Sequence, residues 1–470
     1  MASALLDDLA TILGPDGVIW EPGSLATYEH DGFMVKARPL AVCLPVATEQ
    51  IAALLRLAGG YGLPVTPRGA GTGLSGGATP VGGGLVVATS RMNRILRLDP
   101  EDLRAVVQPG VVNLELSRAA EPYGLYYAPD PSSQTASTIG GNVAENAGGP
   151  HCLAYGVTTD HVLALEAVTA DGTVVRLGGY PSGTEAAGYD LSGLITGSEG
   201  NLAFVTGITV RLLRRPEAVG TLLALFDSVQ AAGAATSAVI AAGIIPAALE
   251  FLDATTIGAL REGGFRDYPV GVEAVLLVEL EGLAEQVADD TARVQDVLAK
   301  RGAAEVRSAM AAAERARLWA GRKGALGALG RLAPNYYIQD GVVPRSRLVE
   351  VLTQVQAIGQ REGMLIANVF HAGDGNLHPT ILYDARTPGL TGRVVEAGAE
   401  ILRCCVDAGG TLSGEHGVGL EKQAYLDWVF APADQAAQRG VKRAFDPQHR
   451  LNPGKPFSGP VTLSASGTRG

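Results

Sequence analysis

Two long segments with almost no large side chains constrain the fold of this chain more than any other feature. The first is PRGAGTGLSGGATP (67–80), and the second is PDPSSQTASTIGGNVAENAGG (129–149). Glycine adopts backbone conformations that are closed to other residues, and it lets the backbone approach a ligand closely. Long loops in a compact domain usually carry a binding site. The pair therefore predicts a large, polar ligand that bears phosphate groups.

The first loop matches a dinucleotide-binding pattern only in part. Gly71, Gly73 and Gly76 have the spacing of the three glycines in that pattern. In dinucleotide-binding folds a helix opens directly after the glycines, whereas here a proline, further glycines and a strand follow. No Lys-Ser/Thr pair follows either, which argues against a P-loop. The interpretation that remains is a turn whose backbone N–H groups, with the Thr72 and Ser75 hydroxyls, bind phosphate. The alternative is an ordinary surface turn.

The second loop offers neutral hydrogen-bonding groups beside its glycines. Ser132, Thr138, Asn142 and Asn146 can donate or accept hydrogen bonds without adding charge. We expect this loop to approach a planar part of the same ligand.

The order of strands and helices predicts two domains. Segment 40–67 has the pattern of a strand, a helix and a strand, and short strands separated by long loops follow it. After residue 217 strands alternate with helices at 228–242 and 284–301, which is the order of a split β-α-β unit with an antiparallel sheet. We therefore predict an α+β protein divided into a first domain (1–216), a second domain (217–415), a return to the first (416–457) and a disordered tail (458–470).

Composition excludes several classes of protein. The 470 residues, 47% of them hydrophobic, suffice for two or three domains, and the formal net charge of −11 argues against nucleic acid as a partner. The four cysteines lack metal-site spacing, which fits a reducing compartment. The N-terminus does not resemble an export signal, and the apolar window 231–248 contains polar residues and a proline, which favours a buried helix. We expect a cytoplasmic protein with at most peripheral membrane association.

Two histidines lie close together in the run NVFHAGDGNLHP. If the apolar segments on either side are paired strands, the turn brings the imidazoles of His371 and His378 to one edge of a sheet. The run SGEHGVG adds Glu415, and two imidazoles with a carboxylate form a familiar catalytic metal set. Zn²⁺ is the first choice, with Mn²⁺ and Fe²⁺ as alternatives. The competing interpretation is a structural cluster, and Asp374 between two glycines more often holds its own turn.

Several of these motifs resemble those of one group of flavoproteins. The two glycine-rich loops and YDLSGLITGSEGNLAFVT resemble the FAD-binding signatures of the vanillyl-alcohol-oxidase type. HAGDGNLHP and SGEHGVGLEK resemble the C-terminal half of FAD-linked 2-hydroxyacid dehydrogenases. Within that family the resemblance is greatest to the flavin-bearing subunit of bacterial glycolate oxidase, followed by D-lactate and D-2-hydroxyglutarate dehydrogenases. It covers residues 20–457.

The resemblance implies a fold and a cofactor site. The expected fold is a two-part FAD-binding domain with a ferredoxin-like cap domain, whose antiparallel sheet lies between the two parts in sequence. Because no His or Cys lies in 67–80, we expect FAD to be bound non-covalently. The residues expected to bind it are Pro67, Arg68, Gly69, Gly71, Thr72, Gly73, Ser75, Gly76, Pro131, Ser132, Thr138, Gly141, Asn142, Asn146, Gly148, Glu199, Gly200 and Asn452.

The resemblance also implies roles in oxidising a 2-hydroxy acid to a 2-oxo acid with hydride transfer to FAD. The histidine pair and Glu415 match the metal ligands, and His416 matches the base. In the family pattern W-x-x-R the arginine binds the substrate carboxylate, which selects Arg322 over Lys323. The hydroxyglutarate-type relatives carry a lysine where this chain has Ile338, so we expect a small substrate such as glycolate or D-lactate.

Electrons must leave the reduced flavin. The chain has no cysteine set for an iron–sulfur cluster, so an external acceptor is expected: a partner protein, a quinone, a cytochrome or oxygen. The resemblance implies a partner iron–sulfur subunit, through which the protein could sit at the inner face of the membrane. Two other classes compete, a metal-dependent hydrolase that uses the histidine cluster and a non-catalytic nucleotide-binding module.

Overall fold

The computed structural model describes residues 2–184 and 188–458. From residue 459 onward the predicted disordered tail lies outside the described residues. Ser458 is buried, and its hydroxyl donates a hydrogen bond to Asn201 Oδ1 at 2.7 Å. Ser458 therefore belongs to the folded part of the chain and not to the predicted tail.

The chain divides into two compact units. The first comprises Met1–Gly148, Val157–Arg215 and Glu415–Gly470, and the second comprises Gly149–Gly156 and Pro216–Gly414. Compared with the predicted boundaries at 216 and 415, this division assigns the short excursion Gly149–Gly156 to the second unit. The physical reason is that His151 and Tyr155 form hydrogen bonds with Glu279 and Glu281 of that unit.

The helices and strands have the following bounds within the described residues. The α-helices are α1 (Ala2–Leu13), α2 (Pro22–Leu25), α3 (Thr48–Tyr61), α4 (Asn113–Ala120), α5 (Ile139–Glu145), α6 (Cys152–Tyr155), α7 (Thr158–His161), α8 (Leu191–Ile195), α9 (Val229–Ala241), α10 (Ala254–Glu262), α11 (Ala284–Lys300), α12 (Ala312–Leu329), α13 (Leu348–Glu362), α14 (Leu390–Asp407), α15 (Gly419–Lys422) and α16 (Pro432–Phe445). The strands are β1 (Val18–Ile19), β2 (Ala41–Cys43), β3 (Val65–Arg68), β4 (Leu85–Ala88), β5 (Ile95–Asp99), β6 (Arg104–Val107), β7 (Leu125–Tyr126), β8 (Val162–Val168), β9 (Val174–Leu177), β10 (Phe204–Arg211), β11 (Leu213–Arg214), β12 (Ala218–Phe226), β13 (Ala248–Asp253), β14 (Ala274–Gly282), β15 (Ala303–Ala309), β16 (Asn335–Ile338), β17 (Gly341–Val342), β18 (Leu365–His371), β19 (Asn376–Leu377) and β20 (Pro379–Tyr383).

The first unit is built on two main sheets. One has the strand order β1-β2-β4-β3, in which β2 and β3 both run parallel to β4, and α3 connects β2 to β3. The other has the order β5-β6-β10-β8-β9 and is antiparallel. The strand-helix-strand pattern predicted for 40–67 is confirmed. Apolar faces of α1 and α3, including Leu9, Ile51 and Leu54, pack with β2–β4 in one core.

The second unit contains a sheet with the ferredoxin-like order. Its first four strands follow the sequence β12-α9-β13-α10-β14-α11-β15 and lie side by side as β15-β12-β14-β13. All three pairings are antiparallel, which confirms the predicted antiparallel α+β cap. The strand β18 extends the sheet beside β13 and places the histidine hairpin there.

Of the apolar window 231–248 predicted as a buried helix, residues 231–241 lie in α9 and the remainder leads into β13. Ala232, Ala235 and Val239 of this helix are fully buried. Among the described residues, every helix is too short or too polar to traverse a lipid bilayer.

Candidate functional site

The two glycine-rich loops of the first unit pack against each other. The strand β3 ends at Arg68 and leads directly into the first loop. A side chain at Gly69 would place its Cβ 2.4 Å from Thr138 Oγ1, and Gly71 has a φ of +71°. Gly200 also has a positive φ, and a Cβ there would meet the Pro67 ring at 2.9 Å. Glycine is therefore required at these positions by close approach or by backbone conformation.

The second glycine-rich segment contains the short helix α5, and its own residues cap both ends of that helix. Thr138 caps its N-terminus, with Oγ1 accepting a hydrogen bond from Gly141 N at 3.2 Å. Asn146 ends it in the left-handed conformation, and its Oδ1 accepts from Thr159 N at 2.8 Å. Both side chains, predicted to bind the cofactor, thus already shape the loop.

A narrow cavity of about 60 Å³ opens between these loops. Five of the predicted cofactor residues line it, namely Pro67, Arg68, Gly69, Gly141 and Gly200. Sequence reasoning missed the other lining residues, which are Thr89, Pro109, Gly140, Ala144, Ile195, Ser198, Ala203, Phe204 and Val205. Most of these are small or apolar, so no chemical signal distinguishes them from ordinary core residues.

Arg68 is held mainly by the protein itself. Its Nη1 donates to His30 O at 2.9 Å, and its guanidinium lies 5.5 Å from the centre of the Tyr28 ring. Burial lowers the pKa of Arg68, although the Asp31 carboxylate partly offsets this effect. The side chain therefore ties the first loop to residues near the N-terminus.

The C-terminal return forms a clasp, Asn452 and Lys455, that holds the first glycine-rich loop and Glu199. Asn452 Nδ2 donates to Gly77 O at 2.9 Å and to Glu199 O at 2.7 Å, and Lys455 Nζ donates to Thr79 O at 2.7 Å. Burial lowers the pKa of Lys455 to about 8. Of these residues, sequence analysis singled out Glu199 and Asn452 but missed Lys455.

Two acidic side chains, the buried Glu199 and the half-buried Glu145, lie near the first loop. Glu199 accepts hydrogen bonds from Val418 N at 2.8 Å and Gly419 N at 2.9 Å. Burial raises the pKa of Glu145 well above its ordinary value, and the charge of Glu199 adds to this rise. Sequence reasoning missed Glu145, because a single glutamate in a glycine-rich loop carries no signal of its burial.

The donor groups of this unit fit a ligand such as FAD. Ser75 Oγ and Asn142 Nδ2 are buried and have no hydrogen-bond partner among the described residues. A buried donor without a partner is costly unless a ligand or water satisfies it. The remaining predicted residues lie on the same loops: Gly76, Pro131 and Gly148 are buried, Thr72 and Gly73 are half-buried, and Ser132 is exposed.

The histidine hairpin of the second unit has the predicted form. β18 and β20 pair antiparallel, with Asn368 opposite Pro379, and the imidazoles of His371 and His378 lie perpendicular with ring centres 5.1 Å apart. Asp374 Oδ1 accepts from Asn376 N at 3.0 Å, so it holds the turn as expected. The two imidazoles thus lie close enough together to share one ligand.

One buried carboxylate joins His371 to Arg322. Glu250 is fully buried on β13, opposite His371 on β18. Its Oε1 lies 2.7 Å from His371 Nδ1, and its Oε2 accepts from Arg322 Nε at 2.5 Å. Burial raises the pKa of Glu250, but the charges of Arg322 and His371 outweigh this effect and leave the pKa below its ordinary value.

The two cations of the W-x-x-R segment differ in position. Arg322 is 8% exposed, with its guanidinium beside Glu250, whereas Lys323 is exposed and lies over the Trp319 ring. Of these two cations, Arg322 bonds the Glu250 carboxylate that also bonds His371. The geometry therefore favours Arg322 over Lys323.

His378 is held from the two-residue segment between β16 and β17. Its Nδ1 lies 3.2 Å from Gln339 O and 4.0 Å from Asp340 Oδ1. Asp340 is fully buried and also accepts from Ser413 Oγ at 2.5 Å and Gly414 N at 3.2 Å. Asp340 therefore connects the histidine hairpin to the end of the second unit's last segment.

Glu415 and His416 follow Gly414 directly along the chain. They begin the last segment of the first unit, and the Glu415 carboxylate lies 3.9 Å from His416 Nε2. The donor set of two imidazoles and a carboxylate suits Zn²⁺.

Sequence reasoning missed Glu250 and Asp340. Each had one available signal: Glu250 is an acidic residue within the apolar strand segment AALEFLD, and Asp340 is an acidic residue just after the strand segment in NYYIQDG. A buried acidic residue is rare without a partner. The partners of Glu250 lie 72 and 121 residues away along the chain, so the sequence could not identify them.

Comparison with known proteins defines the class. A family model described as "FAD binding domain" matches residues 39–178, and one described as "FAD linked oxidases, C-terminal domain" matches residues 215–456, more than half of the chain. The chain is an FAD-dependent oxidoreductase.

Individual relatives define the family. The chain is 49% identical to the glycolate oxidase subunit GlcD of Escherichia coli K12 over 91% of this chain and 86% of the relative. It is 34% identical to a D-lactate dehydrogenase of Anaerostipes hadrus over 91% of this chain and 92% of the relative. A structure of p-cresol methylhydroxylase matches the fold with a TM-score of 0.79 and 18% identity, covering 97% of this chain and 96% of that one. The chain belongs to the FAD-linked oxidase family, as its motifs predicted.

Proposed function

We propose that this protein oxidises a small 2-hydroxy acid, glycolate or D-lactate, to the 2-oxo acid and passes the electrons to an external acceptor. The observation that carries the proposal is the joining of Arg322 and His371 by Glu250. Arg322 can bind the substrate carboxylate, and His371 can bind a metal ion that would contact the neighbouring hydroxyl. The similarity to a glycolate oxidase subunit and to a D-lactate dehydrogenase supports the same substrate class.

Non-covalent FAD supplies the hydride acceptor for this reaction. The first unit provides the glycine-rich loops, the buried donors Ser75 Oγ and Asn142 Nδ2, and the clasp formed by Asn452 and Lys455. The 67–80 loop has no His or Cys to attach the flavin covalently.

His371, His378 and Glu415 are the proposed ligands of a divalent cation, Zn²⁺ first and Mn²⁺ or Fe²⁺ as alternatives. Such an ion supplies a Lewis acid that lowers the pKa of the substrate hydroxyl. Three observations support this set: the donor types, the 5.1 Å between the ring centres of the two imidazoles, and the hydrogen bond made by Nδ1 of each imidazole. Hydrogen bonds to the non-ligating nitrogen are the usual arrangement for metal-bound histidine.

The proton and the carboxylate of the substrate have separate proposed partners. Arg322 binds the carboxylate through its two Nη groups, because Nε is already bound to Glu250. His416 accepts the hydroxyl proton as general base. Ile338, in place of a lysine that would bind a second carboxylate, favours a small monocarboxylic substrate.

The electron acceptor is proposed to be a partner iron–sulfur subunit, a quinone or a cytochrome. The name of the Escherichia coli relative, a subunit of glycolate oxidase, supports a partner protein. Through such a partner we propose a cytoplasmic location at the inner face of the membrane. Family membership gives no support to the metal-dependent hydrolase.

Anaerobic flavin reduction and separate turnover assays together test the function. The purified protein should be yellow, release FAD on acid precipitation, and bleach when mixed with glycolate or D-lactate. Turnover with a dye acceptor should be fast and turnover with oxygen alone slow. Protein that stays colourless after incubation with FAD, or a bound flavin that neither acid reduces, contradicts the proposal.

A further inference from the structure

We infer that Glu250 is a positioning residue that fixes the spacing between the carboxylate-binding and metal-binding groups, and so selects 2-hydroxy acids over 3-hydroxy acids. The inference rests on the proposed function. It adds a specificity determinant that sequence motifs do not reveal.

The position of Glu250 is set by rigid surroundings. Its strand β13 lies between β14 and β18, hydrogen bonded on both sides. The adjacent cross-strand pair, Phe251 and Phe370, stacks with ring centres 4.7 Å apart. A shift of register would turn each of these side chains to the opposite face of the sheet. The carboxylate of Glu250 is therefore fixed relative to His371.

The bond to His371 determines which ring nitrogen can bind a metal. An ionised carboxylate only accepts hydrogen bonds, so His371 Nδ1 carries the hydrogen directed at Glu250 Oε1. The lone pair is then on Nε2, which becomes the ligand atom. Glu250 thus sets both the tautomer and the orientation of this imidazole.

The bond to Arg322 determines how the guanidinium faces a substrate. Nε is bound to Glu250 Oε2, which leaves the two Nη groups as a fork for a carboxylate. Because one carboxylate holds both groups, a substrate carboxylate on Arg322 and a hydroxyl at a metal on His371 would be held at a set separation. A 3-hydroxy acid has one more methylene between these groups, and a misplacement of about 1 Å can cost roughly a hundredfold in rate.

The test substitutes Glu250→Gln and measures two quantities. A glutamine keeps the shape but replaces one of the two acceptor oxygens by an NH2 donor, and Arg322 and His371 bond separate oxygens, so one of the two bonds is lost. We expect Zn²⁺ affinity, measured against a competing chelator, to fall about 10- to 100-fold. We also expect the ratio of kcat/KM for D-lactate to that for 3-hydroxypropanoate to fall about tenfold or more, with a raised KM for D-lactate. FAD content should not change.

Glu279→Gln is the matched control. Glu279 is a buried carboxylate on the neighbouring strand β14, and it also bonds a histidine and a residue of α12. Its side-chain partners include His151, Trp319 and Thr221, which lie outside the proposed catalytic groups. A merely structural effect of losing a buried carboxylate would appear equally in both variants, which would overturn the inference.

The outcomes separate this inference from the proposed function. Unaltered protein that binds no metal and oxidises no 2-hydroxy acid overturns both. The inference alone is overturned if the unaltered protein is active but Glu250→Gln fails to change both Zn²⁺ affinity and the kcat/KM ratio. If Glu250→Gln does not fold, Glu250→Asp decides by the same two measurements, because it keeps the charge beside Arg322.

Discussion

The two units build their sites from different materials. The first unit shapes a cavity mostly with glycines and other small or apolar residues, with Arg68 as the charged group in its lining, and holds the first loop with Asn452 and Lys455. The second unit brings charged and titratable side chains together on one sheet, where Glu250 joins Arg322 to His371. The difference teaches that one unit is suited to holding a large cofactor, and the other to acting on a small substrate.

The largest expected effect tests whether chemistry resides in the histidine groups. His371→Ala should lose metal and activity together, since a metal ligand sets occupancy. His416→Ala should keep FAD and metal but slow flavin reduction by about 10²–10⁴, the usual contribution of a general base. Metal analysis beside anaerobic flavin reduction measures both. Full metal and full rate in His371→Ala would show that the cluster is structural.

A smaller effect is expected where the proposed carboxylate-binding group is altered. Arg322→Lys replaces a fork by a point charge and leaves the Glu250 carboxylate with one fewer defined partner. The loss of one charge-assisted hydrogen bond, about 1.5–3 kcal/mol, should raise KM roughly 10- to 100-fold. Lys323→Ala, on the exposed side of the same helix, is the control. Unaltered kinetics in Arg322→Lys would assign the carboxylate to another group.

The smallest effect is expected in the first unit, on cofactor binding alone. In Gly69→Ala the new Cβ would lie 2.4 Å from Thr138 Oγ1 and disturb the cap of α5. The loss of such a cap costs about 1 kcal/mol, so FAD affinity should fall about fivefold, with little change in the rate of flavin reduction once FAD is bound. Fluorescence titration of apoprotein with FAD measures the change.

Gly60→Ala provides the comparison for this variant. Gly60 lies in α3, and a Cβ there meets open space, so stability should be equal or higher by up to about 1 kcal/mol. If Gly69→Ala also binds FAD as tightly as the unaltered protein, the claim that the glycine-rich loops of the first unit hold the cofactor is wrong.

The sequence predicts what depends on local chemistry. The hairpin that carries His371 and His378 follows from its turn residues and apolar flanks, and the ferredoxin-like order follows from the alternation after residue 217. The closeness of Gly69 and Thr138, by contrast, joins loops about seventy residues apart, and only their shared glycine content hinted at it.

What the sequence could not predict depends on partners that meet only in the folded chain. Glu250 appears in the sequence as one acid in an apolar strand, and its importance arises from Arg322 and His371 far along the chain. The excursion Gly149–Gly156 joins the second unit because His151 and Tyr155 meet two carboxylates on β14. No local pattern encodes such pairings.

The clasp of Asn452 and Lys455 has a consequence for the order of events during synthesis. Residues 67–80 leave the ribosome hundreds of residues before the two side chains that hold Gly77 and Thr79. Until the last part of the chain emerges, the glycine-rich turn lacks three of the hydrogen bonds that fix its backbone and that of Glu199. Stable loading with flavin is therefore a late event, completed after translation, and a nascent chain stalled before residue 452 should remain in its apo form.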